Sequence, residues 1–167
     1  FAIQANGSLS SVDTDAGTVG VQASIAAGGG THAFTIDSTG RFAHAANFND
    51  NTVAAYTVNA STGALTAVGA PVLVGGLNPR SVSVDPSGKF VYVANYGSAN
   101  VSAYSIDATT GALTALAGSP FTAGANPGSV TVDPSGKFLY VTNIGSSDTT
   151  VFTLGADGVP GAARVIA

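Results

Sequence analysis

Short runs of β-branched and aromatic residues recur along the chain, separated by clusters of Gly, Pro, Ser, Asn and Asp. The stretch from 81 to 116 shows the pattern well. Ser81–Val84 alternates, with Val82 and Val84 on one face and Ser81 and Ser83 on the other. Phe90–Asn95 is apolar on both faces, and Val101–Ile106 and Ala112–Leu116 follow. Runs this short, closely spaced and bounded by turn residues, predict antiparallel strands. The breaks agree. Asp85-Pro86-Ser87-Gly88 has the residue order of a type I turn, with an Asp carboxylate able to accept a turn N–H. Between the third and fourth strands stand Ser61-Thr62-Gly63 and Thr109-Thr110-Gly111, or the shorter Asn6-Gly7 and Asp157-Gly158. The short pairs predict a tight hairpin with both central residues at positive φ.

The pattern repeats with a shift of 48 residues. The shift carries Asp37-Ser38-Thr39-Gly40-Arg41-Phe42 to Asp85-Pro86-Ser87-Gly88-Lys89-Phe90, and that to Asp133-Pro134-Ser135-Gly136-Lys137-Phe138. It carries Asn47 to Asn95 to Asn143, and Tyr56 to Tyr104 to Phe152. A repeated four-stranded antiparallel unit of this length is the signature of a β-propeller. The predicted fold class is therefore all-β, a propeller with about three and a half blades present. Residues 1–30 form a half blade and a long connection, and blades occupy 31–78, 79–126 and 127–167. The segment 13–30 reads as a loop insertion on one rim or as an extended outer strand. The small first strands fit the axis, and the second strands, apolar on both faces, fit a sheet packed between neighbours.

Composition narrows the function classes. Charged residues are 8% of the chain against roughly 25% in an ordinary domain. The formal net charge is -4, so no basic footprint for nucleic acid exists. Cysteine is absent, which excludes disulfides and thiolate metal sites. No apolar run is long enough to span a membrane. The chain starts at Phe1 and contains no Met, so it reads as a processed chain or as part of a longer one. Low charge and richness in Ala, Gly, Ser, Thr, Val and Asn suit an extracellular or periplasmic location.

Tyr140-Val141-Thr142-Asn143 and its near copy Tyr92-Val93-Ala94-Asn95 carry a resemblance. They resemble the repeats of YVTN propellers and of the related seven-bladed lactonase family, similar to 6-phosphogluconolactonase. The resemblance implies a ring of seven blades, of which this chain holds about half. Open blade faces would then meet the remainder of the propeller or another copy of the chain.

Candidate chemistry is sparse. His32, just before an inner strand, matches the Pro-His that opens such a strand in the family the chain resembles. Arg80, in Asn78-Pro79-Arg80-Ser81, matches the Pro-Arg-His of that family. The resemblance makes these two the catalytic candidates. An imidazole can serve as acid or base, and a guanidinium can clamp a carboxylate, phosphate or oxyanion. Ser81 stands where the family has His, and Tyr96 where it has Glu. His44 reads as a packing residue, and Asn47, Asn95 and Asn143 as partners of local backbone. Asn49-Asp50-Asn51 and Ser146-Ser147-Asp148 read as turns, without the ligand run of a calcium loop. No metal or other cofactor is implied, and the small-molecule ligand is left unspecified. Two functional readings follow. One is a binding or assembly module working through blade faces or rim. The other is a lactone hydrolase with its site at the channel mouth, which would fit the cytoplasm as well.

Overall fold

The computed structural model describes residues 2–3, 9–10 and 27–167. β1 (Ala2–Ile3) pairs antiparallel with β2 (Leu9–Ser10). Most of the segment 13–30 lies outside the described residues, as does the Asn6-Gly7 turn. Three antiparallel sheets follow, one per repeat. The first runs β3 (Thr31–Ile36), β4 (Phe42–Asn47), β5 (Thr52–Val58), with the short β6 (Leu65–Ala67) and β7 (Val72–Leu73) both pairing with β5. The second repeats this with β8 (Pro79–Val84), β9 (Phe90–Asn95), β10 (Asn100–Ile106), β11 (Leu113–Ala115) and β12 (Phe121–Thr122). The third has β13 (Pro127–Val132), β14 (Phe138–Asn143), β15 (Asp148–Leu154) and a continuous outer strand, β16 (Pro160–Ile166). The fold is a partial β-propeller. The sequence places one outer strand at 112–116; the structure splits the outer edge into two short strands in the first two blades.

The inner strands β3, β8 and β13 stand side by side around the axis. Small residues permit this and also bind across it: Ser81 Oγ accepts the Val130 N–H at 3.2 Å, and Ser83 Oγ the Val132 N–H at 3.4 Å. The second strands form the interfaces between blades, because alternate side chains face opposite neighbours. Phe42 and Ala46 of the first blade pack with Val91 and Val93 of the second. Tyr92 and Ala94 of the second pack with Leu139 and Val141 of the third. Each fully buried Val, Leu or Phe among them contributes roughly 1.5–3 kcal/mol.

The turns after the inner strands follow the expected chemistry. Asp85 Oδ1 accepts the N–H groups of Lys89 and Phe90, and Oδ2 accepts that of Ser87 at 3.0 Å. Asp37 and Asp133 bind their turns in the same way. Burial alone would raise the Asp37 carboxyl; the bonds from Thr39, Phe42 and Arg41 outweigh it and hold the group below its ordinary value.

Two expectations are corrected. In the Asp157-Gly158 hairpin only Gly158 has positive φ, at 75°. The turn spans Gly155–Gly158, closed by the Gly158 N–H on the Gly155 carbonyl at 3.0 Å, and a bulge lies just before it, between Phe152 and Leu154. A bulge absorbs the strand twist, so the second positive φ is not needed. The repeat asparagines bind side chains rather than local backbone. Asn47 Nδ2 donates to Thr52 Oγ1, Asn95 Nδ2 to Asn100 Oδ1 and Ser102 Oγ, and Asn143 Nδ2 to Asp148 Oδ1 and Thr150 Oγ1. Each amide lies under a glycine of the incoming connection, Gly28, Gly76 or Gly124, where a Cβ would sit 2.5–2.7 Å from it. The Nδ2 donors are thereby directed to the third strand in all three blades.

Candidate functional site at the inner-strand rim

Every inner strand opens on a bulge. Thr31 pairs with Asn47 and Ala33 with Ala46, which leaves His32 outside the ladder. The same irregularity leaves out Arg80 between Pro79 and Ser81, and Gly128 between Pro127 and Ser129. Bulges re-aim a side chain away from the sheet alternation. His32 and Arg80 therefore hold one position in adjacent blades, at one end of the inner strands. The third blade leaves this position bare: Gly128 is a glycine, and a Cβ there would meet the Ile144 side chain at 2.3 Å.

Each of the two side chains rests on an aromatic ring. His32 stacks on Phe48 with ring centroids 4.5 Å apart and planes 25° apart. The Arg80 guanidinium lies 5.1 Å from the centre of the Tyr96 ring, a cation–π distance. Phe48 and Tyr96 approach each other to 6.5 Å. The result is a continuous row across two blades, His32, Phe48, Tyr96, Arg80. Phe48, Tyr96 and Ile144 are one repeat position, the residue after the repeat asparagine.

Asn78 fixes the spacing of this row. Its backbone takes φ 54°, a region that asparagine tolerates better than most residues. Its carbonyl accepts the Tyr96 N–H at 3.0 Å, and its Nδ2 donates to the Phe48 carbonyl at 3.2 Å. One residue thereby holds both platforms. Asn126 does the same one blade on, donating to the Tyr96 carbonyl.

Among the described residues neither His32 nor the Arg80 guanidinium makes a hydrogen bond or an ion pair. Their donors are free for a ligand. Arg41, by contrast, spends its Nη2 on the Ala108 carbonyl at 2.9 Å. Ser81 is committed to its structural bond with Val130. No group of three or more His, Cys, Asp or Glu able to hold a metal ion occurs among the described residues. His44 is fully buried between the first and second blades, not part of the rim. The sequence brings His32 and Arg80 forward; it misses Phe48, Tyr96 and Asn78, whose only signal is the repeat register itself.

Comparison with known proteins decides the family. The family model described as "Lactonase, 7-bladed beta-propeller" matches residues 2–120. The chain belongs to the seven-bladed lactonase propellers. No curated protein sequence matches it. Among solved structures, this lactonase propeller is similar to a protein of unknown function from Desulfotomaculum acetoxidans, with a TM-score of 0.72 and 21% identity over 81% of this chain and 42% of that one. It is similar to the periplasmic gluconolactonase of Pseudomonas aeruginosa, with a TM-score of 0.64 and 19% identity over 80% and 42%. A candidate 6-phosphogluconolactonase of Bacteroides fragilis gives 0.68 and 23% over 80% and 41%. At these identities the likeness is one of fold. The chain spans about two fifths of the length of these structures. No helix among the described residues is long and apolar enough to cross a membrane.

Proposed function

We propose that this chain carries part of a lactone-hydrolysing site, at the rim where His32 and Arg80 hold equivalent positions. The observation that carries the reading is the pair of unspent side chains, one imidazole and one guanidinium, set on one bulge position in adjacent blades and backed by Phe48 and Tyr96. Membership of the lactonase propellers supports it. In this reading a water oxygen attacks the lactone carbonyl carbon while His32 takes the water's proton. Arg80 stabilises the oxyanion that develops. The ring C–O bond then breaks, and the proton passes from His32 to the departing ring oxygen, giving a hydroxy acid. Phe48 and Tyr96 hold the apolar face of the ring and exclude water from one side of the guanidinium. Tyr96, where the resemblance calls for a carboxylate, leaves Arg80 unneutralised and free for an anion. An extracellular or periplasmic location fits the composition, and the periplasmic gluconolactonase among the structural relatives is compatible with it.

The test is hydrolysis of δ-gluconolactone, followed by proton release against the spontaneous rate. Arg80→Ala is expected to lower kcat/KM at least about tenfold, the worth of a charge-assisted bond. His32→Ala is expected to lower kcat with little change in KM. Turnover at the wild-type level in both variants would sink the reading.

A second reading has its own support. Phe138 and Tyr140 of β14, with Ile166 of β16, share one face and are exposed, at 38%, 40% and 54%. Phe138 and Tyr140 correspond to Phe90 and Tyr92, which pack against the third blade. A face of this kind takes a further blade or another copy of the chain. Tyr140→Lys is expected to reduce self-association in light scattering; an unchanged mass distribution would count against assembly through this face.

A further inference from the structure

We propose that the cleft between the second and third blades, at the opposite end of the inner strands from His32 and Arg80, binds a small hydroxy acid with an apolar body. The argument starts from the equivalent place one blade earlier, which is closed. There Ser38 Oγ donates to the Pro86 carbonyl at 2.8 Å, tying one turn to the next. Arg41 lies over Phe42, 4.9 Å from the ring centre, and reaches across to the Ala108 carbonyl. The 48-residue shift replaces both closures. Pro86 stands for Ser38 and has no hydroxyl. Lys89 stands for Arg41, and its ammonium makes no hydrogen bond or ion pair among the described residues. The hairpin that Arg41 would reach is also one residue shorter in the third blade. What opens is a cleft of about 430 Å³, within the size range of small-molecule sites.

Its lining states what it would take. Phe90 and Leu154 supply an apolar wall. Tyr92 lines the cleft too, with its hydroxyl already spent on the Gly158 carbonyl at 2.7 Å. Lys89 supplies an ammonium in place of the guanidinium with which Arg41 closes the first pair. Ala156, in the lining, is the counterpart of Ala108, and no side chain among the described residues donates to its carbonyl. Asp85 is in the lining, but its two oxygens are occupied by three backbone N–H groups and the Ser87 hydroxyl. The cleft therefore offers one free cation, one free carbonyl acceptor and an apolar surface. A carboxylate fits the first, a hydroxyl donor the second, and an alkyl or aryl body the third.

Mandelate has all three groups, and titration of the chain with it, followed by amide chemical shifts, tests the proposal. Saturable shifts at Phe90, Leu154 and Ala156 are expected. Phenylacetate, without the hydroxyl, is expected to bind about fivefold more weakly, the worth of one hydrogen bond. Lys89→Gln is expected to weaken binding about threefold or more, as befits an exposed charge. The double variant Pro86→Ser, Lys89→Arg rebuilds the closures of the first pair. Ser38 shows that the turn accepts serine, so the variant is expected to keep its thermal transition and lose mandelate binding. Shifts confined to Phe48 and Tyr96, no saturable shifts at all, or undiminished binding by the folded closing variant would each overturn the site. His32→Ala and Arg80→Ala are expected to leave mandelate binding unchanged, which separates this cleft from the rim chemistry.

Discussion

Replacing His44 by tyrosine is expected to stabilise the chain and to remove much of its loss of stability between about pH 6.5 and pH 4. The imidazole is fully buried, and both ring nitrogens lack a hydrogen-bond partner. Burial pushes its pKa down to about 4, against a smaller opposing pull from the Asp37 carboxylate. The folded state thus binds its proton less readily than the unfolded chain does. Stability is fully present above the unfolded value of 6.5, falls as pH drops from there, and stops falling near 4. A shift of this size corresponds to a loss on the order of 3 kcal/mol. Asp37 is held below the ordinary carboxyl value of 3.8, so its loss lies below that of His44 and is separable from it. Tyr92, the equivalent residue of the next blade, shows the remedy: its hydroxyl reaches the Gly158 carbonyl of the neighbouring hairpin. Gly111 occupies the matching hairpin position, with φ 78° against 75° for Gly158. His44→Tyr is therefore expected to gain about 1 kcal/mol at neutral pH and to flatten the acid side of the profile. Urea unfolding across pH 4 to 8 measures both. A variant with an undiminished acid slope would show that another group is responsible.

The same residue shows what a repeat makes legible. The strands, their order and the interfaces between blades follow from one unit read three times, since each period-2 pattern fixes which side chains face which neighbour. His44 as a packing residue was legible by register alone. Its two orphaned nitrogens were not, because they depend on how far an imidazole reaches compared with a phenol. The asparagines repeat this lesson. Asn47 Oδ1 accepts the Thr31 hydroxyl at 2.9 Å, whereas Asn95 and Asn143 have an unpartnered Oδ1. The reason is a single exchange: Pro79 and Pro127 stand where Thr31 supplies a donor. The sequence shows the exchange, and only the fold shows that it touches the amide. His32 and Arg80 were legible from their places before an inner strand. Their aromatic platforms were not, because Phe48 and Tyr96 lie sixteen residues further on, across the bulge, and nothing in local periodicity joins them.

Gly111→Ala is expected to destabilise the chain far more than Gly40→Ala, although both glycines have nearly the same backbone. Gly111 has φ 78° and Gly40 has φ 69°, so the left-handed conformation penalises alanine equally, by about 1 kcal/mol. Their surroundings differ. Nothing lies within 4 Å of a Cβ built on Gly40. A Cβ on Gly111 would lie 2.5 Å from Phe42 Cδ1, and Phe42 is a core residue at 4% exposure. The hairpin of the second blade is thus laid directly on a ring of the first. Phe42 has no room to retreat, since it packs with Val91, Val93, Tyr104 and Ile106. Moving the ring or the hairpin adds about 1–3 kcal/mol of overpacking. The expected totals are about 1 kcal/mol for Gly40→Ala and about 2–4 kcal/mol for Gly111→Ala, by denaturant unfolding at neutral pH. Phe42→Leu supplies the decisive control, because a smaller side chain relieves the clash. In the Phe42→Leu background the cost of Gly111→Ala is expected to fall toward that of Gly40→Ala, a coupling that two independent defects would not show. Strict additivity would mean that the hairpin glycine is required for its backbone alone, and that the contact between blades contributes nothing to the choice of glycine there.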